Sequence, residues 1–242
     1  MAPPAPATAP LDHLALLAGL QSAFAAAIAE VDPEARVPWC GRWRVRHVVV
    51  HLARIHHWAA AEARGGREVP LGRGPFDLQV LYRTCADELC RLLLDLGPDA
   101  DVSTLLGRGP ASFWRRRQAH ETLVHLWDVR AAVGARIDVP EEVWADTVDE
   151  VVTVMHPRQV RLGRTPPLAH PIDVVATGPA ERRWRLGGEP TDAGADAVVQ
   201  VHGPASALAL LLWGRTTPDD DALTVSGDRA VLDAALAQPL TP

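Results

Sequence analysis

The sequence predicts an α+β protein in two parts, an N-terminal four-helix bundle followed by a small C-terminal α+β domain. Three observations carry this reading. Apolar residues recur at steps of three and four through four long segments before Gly134, the signature of amphipathic helices. Short breaks rich in glycine and proline separate these segments, as in a bundle with short connections. After Pro157 the pattern changes to brief β-type runs punctuated by GP and GG pairs.

Leu17, Leu20, Phe24, Ile28 and Val31 place one apolar stripe on a first helix drawn from Leu11 to Val31. Val48, Leu52, Ile55 and Ala59 do the same for a second, from Arg44 to Ala63, which Gly65 and Gly66 end. A third runs from Phe76 to Leu96 on Leu78, Leu81, Cys85, Leu89 and Leu92, closed by Gly97 and Pro98. The fourth extends from Ser112, read as its N-cap, to Val133, with Gly134 as its C-cap. Pro140, Glu141 and Glu142 suit the first turn of a further helix through Val143, Val151 and Met155.

The segment PRQVRLGRTPP reads as a linker. Beyond it HPIDVVAT, RRWRL and AVVQVHG read as strands, Ala205–Gly214 as a helix, Leu223–Ser226 as a strand and Asp228–Ala237 as a last helix. The expected organisation is a disordered tail over residues 1–10, a helical domain over 11–157, and the linker with the α+β domain over 158–242.

The chain has 242 residues, 48% of them apolar, enough to bury a core without disulfides. Its net charge of -6 gives no electrostatic footprint for nucleic acid or an anionic membrane. All 24 basic residues are arginine, so a Schiff-base or pyridoxal-phosphate lysine is excluded. Asparagine is also absent, and this codon bias points to a GC-rich source such as an actinobacterium. Cys40, Cys85 and Cys90 fit no zinc-ribbon or CxxC spacing and are read as buried small apolar residues in a reducing, cytoplasmic setting. The first residues lack the pattern of a signal peptide, and no uninterrupted apolar run reaches the ~18 residues of a membrane span.

Chemistry concentrates on the second and fourth helices. Trp114, Gln118, Glu121, His125 and Asp128 follow one another at steps of four and three, so Glu121 and His125 project side by side close to the core. On the second helix His47, His51, Arg54 and Trp58 form a comparable stripe. His51 meeting the Glu121/His125 pair would supply two imidazoles and a carboxylate and leave metal positions open, as in a catalytic site. The competing reading of an E-x-x-x-H pair is a helix-surface ion pair. His47, His56, His57 and His120 are read as solvated or supporting residues, and Asp128 as a partner of either His125 or Arg130.

The segment WRVRHVVVHLARIHHWAA resembles the W-x-V-R-D-V-x-x-H-L motif of the mycothiol-dependent maleylpyruvate isomerase family, and QAHETLVHLWD its H-E-x-x-V-H-x-x-D motif. PRQVRLGR and VHGPASALALLLWGR resemble that family's hinge and C-terminal domain. The resemblance implies a DinB-like four-helix bundle, a divalent metal, usually zinc, held by His51, Glu121 and His125, and mycothiol as the working thiol. It implies a thiol-using isomerase or transferase acting on a small electrophile such as a carboxylic acid, with no nucleic acid or membrane as partner. Arg215, closing LLLWGR, is then a candidate for binding an anionic substrate or thiol group, or a helix-terminal arginine that complements the dipole. Two positions depart from the motifs: His47 replaces an acidic residue, and Leu126 an arginine. The alternative of a different class is a metal- or small-molecule-binding protein without turnover, which a metal site closed by His47 would favour.

Overall fold

The computed structural model describes residues 10–178, 180–188 and 198–242. The expected disordered tail over 1–10 lies, apart from Pro10, outside the described residues. The chain forms two compact units, one comprising the residues through Val37 with Arg42–Ala135, the other Pro38–Gly41 with Arg136–Pro242.

The first unit is a four-helix bundle. Its helices are α1 (His13–Glu30), α2 (Val45–Arg64), α3 (Leu78–Leu96) and α4 (Ser112–Ala131). Helices α1 and α2 each pack against both α3 and α4. The apolar spacing accounts for the faces they bury: Leu17, Leu20 and Phe24 from α1, Val48, Leu52 and Ala59 from α2, Cys85 and Leu89 from α3. Burying a leucine or phenylalanine of this set stabilises the fold by roughly 1.5–3 kcal/mol. Phe24 and Tyr82 pack ring to ring, with centroids 4.5 Å apart.

The ends follow capping chemistry. Asp12 accepts from the Leu14 and Ala15 amides at the start of α1, and Asp77 from Gln79 and Val80 at the start of α3. Gly65 ends α2 in the left-handed conformation, φ 71°. The N-cap of α4 is Ala111 rather than Ser112, which is the first helical residue. Among the described helices only α1 is long and apolar enough to match a membrane span by composition. In the bundle it buries Leu17, Leu20, Phe24 and Ala27.

A hairpin with no counterpart in the sequence reading, β1 (Asp101–Thr104) with β2 (Gly107–Pro110), precedes α4. Trp114 of α4 donates its indole N–H to the Ser103 carbonyl at 2.7 Å, tying helix to hairpin.

In the second unit α5 (Glu141–Glu150) runs through a π-helical turn, Val151–Met155, into α6 (His156–Arg161). Pro157 explains the turn. Its ring cannot donate to the carbonyl four residues back and crowds it, so the helix widens, and the His156 amide donates to the Val151 carbonyl five residues back. The expected linker is therefore helical over its first residues, and Pro157 stands inside the second unit; the two units part between Ala135 and Arg136. Strands β3 (Ile172–Ala176), β4 (Arg182–Leu186), β5 (Val199–Gly203) and β6 (Thr224–Gly227) form one sheet in the order β4-β3-β5-β6. The β3–β5 pair is parallel and its neighbours are antiparallel. Helices α7 (Ala205–Leu212) and α8 (Arg229–Leu236) complete the α+β unit. Of the cysteines only Cys85 is buried; Cys40 and Cys90 are half-buried, and the Cys90 thiol donates to Gln21 Oε1 of α1.

Candidate metal centre

Helix α4 is buried along most of its length, yet its buried set includes Arg117, Gln118, His120, Glu121, Thr122, His125 and Asp128. Polar groups in such a place need partners, since a lone buried carboxylate is costly. For Glu121 they come from both sides. Its Oε1 lies 3.3 Å from Nε2 of His51 on α2 and 3.2 Å from Nε2 of His125, one turn along α4. The three donor atoms all fall within 4.8 Å of one another. The two imidazole rings stand nearly perpendicular, with centroids 4.9 Å apart.

The second polar atoms of Glu121 and His125 are already engaged. Glu121 Oε2 accepts from the buried Arg117 guanidinium. His125 Nδ1 donates to Asp128 Oδ2 at 2.8 Å, since a carboxylate can only accept, and this bond fixes the ring so that Nε2 faces Glu121. Burial opposes ionisation of Glu121, but Arg117 first, and then the hydrogen bonds from His125 and His51, hold its carboxyl well below the usual range. Burial likewise opposes charging His125, but its bonds to Asp128 and Glu121 push the imidazole up to about 9.

The arrangement fits a divalent ion. Two imidazole nitrogens and a carboxylate oxygen are the donors of catalytic zinc sites, and donors about 2.0–2.1 Å from one tetrahedral ion stand roughly 3.3 Å apart, the spacing of each histidine from the carboxylate here. Glu121 and Asp128 are both buried carboxylates, Glu121 paired with Arg117 and Asp128 with His125. The side chain of His51 is 33% exposed, against 10% for Glu121 and 5% for His125, so solvent meets the donor set at the edge of His51.

The other sequence candidates separate cleanly. His47 is not in the donor cluster; its Nδ1 accepts the Arg44 amide at 2.9 Å and caps α2. His56 and His120 are fully buried rather than solvated. His56 binds Gln118 at 2.7 Å across the helix interface. His57 joins Glu88 of α3 at 2.6 Å and the Val69 carbonyl at 2.8 Å. Asp128 serves His125, while Arg130 pairs with Glu30. Arg215 lies in the second unit just past α7, its guanidinium donating to the Trp213 carbonyl at 2.7 Å. The sequence reading missed Arg117. Its signal was there: an arginine four residues before Glu121 repeats the spacing of the Glu121/His125 pair.

Both units resemble known proteins. Residues 14–130 match the profile of the mycothiol maleylpyruvate isomerase N-terminal domain, and residues 142–234 that of the MDMPI C-terminal domain. Two solved structures of mycothiol-dependent maleylpyruvate isomerase share the fold. A point mutant has a TM-score of 0.65 at 18% identity, over 89% of this chain and 92% of that one. A second structure has a TM-score of 0.62 at 19% identity, over the same shares. No curated protein matches the chain. With both profiles matched in order, one on each side of the junction between the units, the chain belongs to the mycothiol-dependent maleylpyruvate isomerase family.

Proposed function

We propose that this protein is a cytoplasmic, metal-dependent enzyme that uses mycothiol to isomerise, or to add sulfur to, a small electrophilic acid. Family membership supports the mycothiol and the isomerase chemistry, and the neighbouring structures are of an enzyme that carries this name. The observation that carries the metal is the convergence of His51, Glu121 and His125 on one point.

In this reading His51 Nε2, Glu121 Oε1 and His125 Nε2 hold the ion, zinc being the first candidate for such donors. An ion held there would lower the pKa of the mycothiol thiol from the ~8.5 of a free thiol, and reversible addition of the thiol's sulfur to an activated cis double bond would allow rotation about the resulting single bond. Release of the trans acid is isomerisation; retention of the adduct is transfer. Arg117 holds Glu121 ionised and turned, so that one oxygen stays directed at His51 and His125. Asp128 holds the hydrogen on Nδ1 of His125, which leaves Nε2 as the donor atom. Arg215 binds the substrate's carboxylate.

A closed, non-catalytic metal site gains no support, because the residue that would close it, His47, caps a helix instead. The test is turnover of a maleyl-type acid with mycothiol and with glutathione, both isomer and adduct being followed. A pocket shaped for uncharged sugar hydroxyls leaves glutathione's charges poorly paired, so a preference of about a hundredfold or more for mycothiol is expected. Equal rates with the two thiols would contradict the mycothiol reading.

A further inference from the structure

The most exposed of the three donor residues, His51, is bordered by a tryptophan. Trp43 lies with its ring centroid 5.2 Å from that of His51, the planes inclined at 57°. It is 36% exposed, although the neighbouring residues of α2, Val45 and Val48, are completely buried. An indole held partly in water beside a metal ligand presents a flat apolar surface where a bound thiol's remaining atoms must pass.

Its placement is rigid. The Val37 amide donates to the Trp43 carbonyl at 3.1 Å, the Val45 amide to the Ala35 carbonyl at 3.0 Å, and Arg36 and Arg44 form a bridge between these bonds. The backbone of Trp43, Arg44 and Val45 is thus tied to the segment that follows α1. A platform that is already ordered loses little entropy when a ligand settles on it.

We propose that Trp43 is the platform for the sugar portion of mycothiol. The inference rests on the mycothiol reading of the site. With the sulfur at His51, Glu121 and His125, the amide-linked sugar is only a few bonds away, on the side where Trp43 lies. Sugar rings are uncharged and carry C–H faces that pack on an indole, while their hydroxyls stay in solvent at its exposed edge. Trp43 therefore selects the thiol by its polyol part and leaves the chemistry of the sulfur to the donor set.

The experiment titrates metal-loaded wild type, Trp43→Ala and Trp43→Phe with mycothiol and with N-acetylcysteine, which keeps the thiol and the amide but lacks the sugars. Binding is read by calorimetry, with metal content measured in parallel. The expected result is mycothiol affinity at least tenfold weaker in Trp43→Ala, largely recovered in Trp43→Phe, with N-acetylcysteine affinity and metal content unchanged. Equal mycothiol affinity in wild type and Trp43→Ala would overturn the inference alone. Equal losses for both thiols, or loss of the metal, would overturn it by showing that Trp43 merely supports His51. A wild type that loads metal but binds no mycothiol would overturn the underlying reading as well.

Discussion

His56 Nδ1 stands 2.7 Å from Gln118 Oε1, a buried bond between α2 and α4. His56 follows His51 along α2 and Gln118 precedes Glu121 along α4, so this bond ties together the two helices that carry His51, Glu121 and His125. Gln118→Ala leaves a buried ring N–H without its acceptor. The expected cost is about 1–3 kcal/mol of stability, read by denaturant unfolding.

The same histidine sets an acid limit. Burial lowers its pKa to about 4 from an ordinary 6.5 and outweighs the hydrogen bond to Gln118. The unfolded chain therefore takes up a proton below pH 6.5 that the native protein refuses until about pH 4. This contribution to stability is whole above pH 6.5 and falls between 6.5 and 4, by up to about 1.4 kcal/mol for each pH unit. A His56→Gln variant should show a flatter decline over that window in parallel unfolding curves.

Arg117 and Glu121 form a buried pair, so removing the cation leaves one oxygen of a buried carboxylate without its charged partner. Arg117→Met should cost about 3–5 kcal/mol in metal-free protein and distinctly less with a divalent ion bound, since the ion replaces the lost charge. Unfolding midpoints with and without metal measure the difference. Equal losses in both states would show that the ion does not meet Glu121.

Asp128 meets the candidate donor set through His125. An Asp128→Ala variant should bind zinc about 10- to 100-fold more weakly in competition with a chromophoric chelator. If affinity is unchanged, the ring is oriented by something else.

For Arg215 the expectation is kinetic. Arg215→Ala should raise the KM of the acid substrate and leave metal content and mycothiol affinity as they were. The loss of a charged hydrogen bond to a carboxylate corresponds to about 1.5–3 kcal/mol. An unchanged KM would return Arg215 to the role its bond to the Trp213 carbonyl already gives it at the end of α7.

Much of this was legible from side-chain spacing. Periodicity located α1 to α4 within a few residues, and steps of four placed Glu121 beside His125. The β1–β2 hairpin was not legible, because Asp101–Thr104 and Gly107–Pro110 are four residues each and lack an alternating apolar pattern. Pro157 suggested a break in the chain, but a π turn let the helix absorb it. His47, one turn from His51, suggested a rival ligand; only the conformation at the start of α2 shows its ring turned back onto the Arg44 amide. Spacing tells which residues share a face, whereas the choice of partner on that face depends on packing between helices distant in sequence.

The most direct test of the account is the metal content of purified wild-type protein and of the Glu121→Ala and His125→Ala variants, with helical content followed by circular dichroism. One divalent ion per wild-type chain and none in either variant, with both variants still folded, is the expected result. Full occupancy in both would contradict the assignment of His51, Glu121 and His125 as the metal centre.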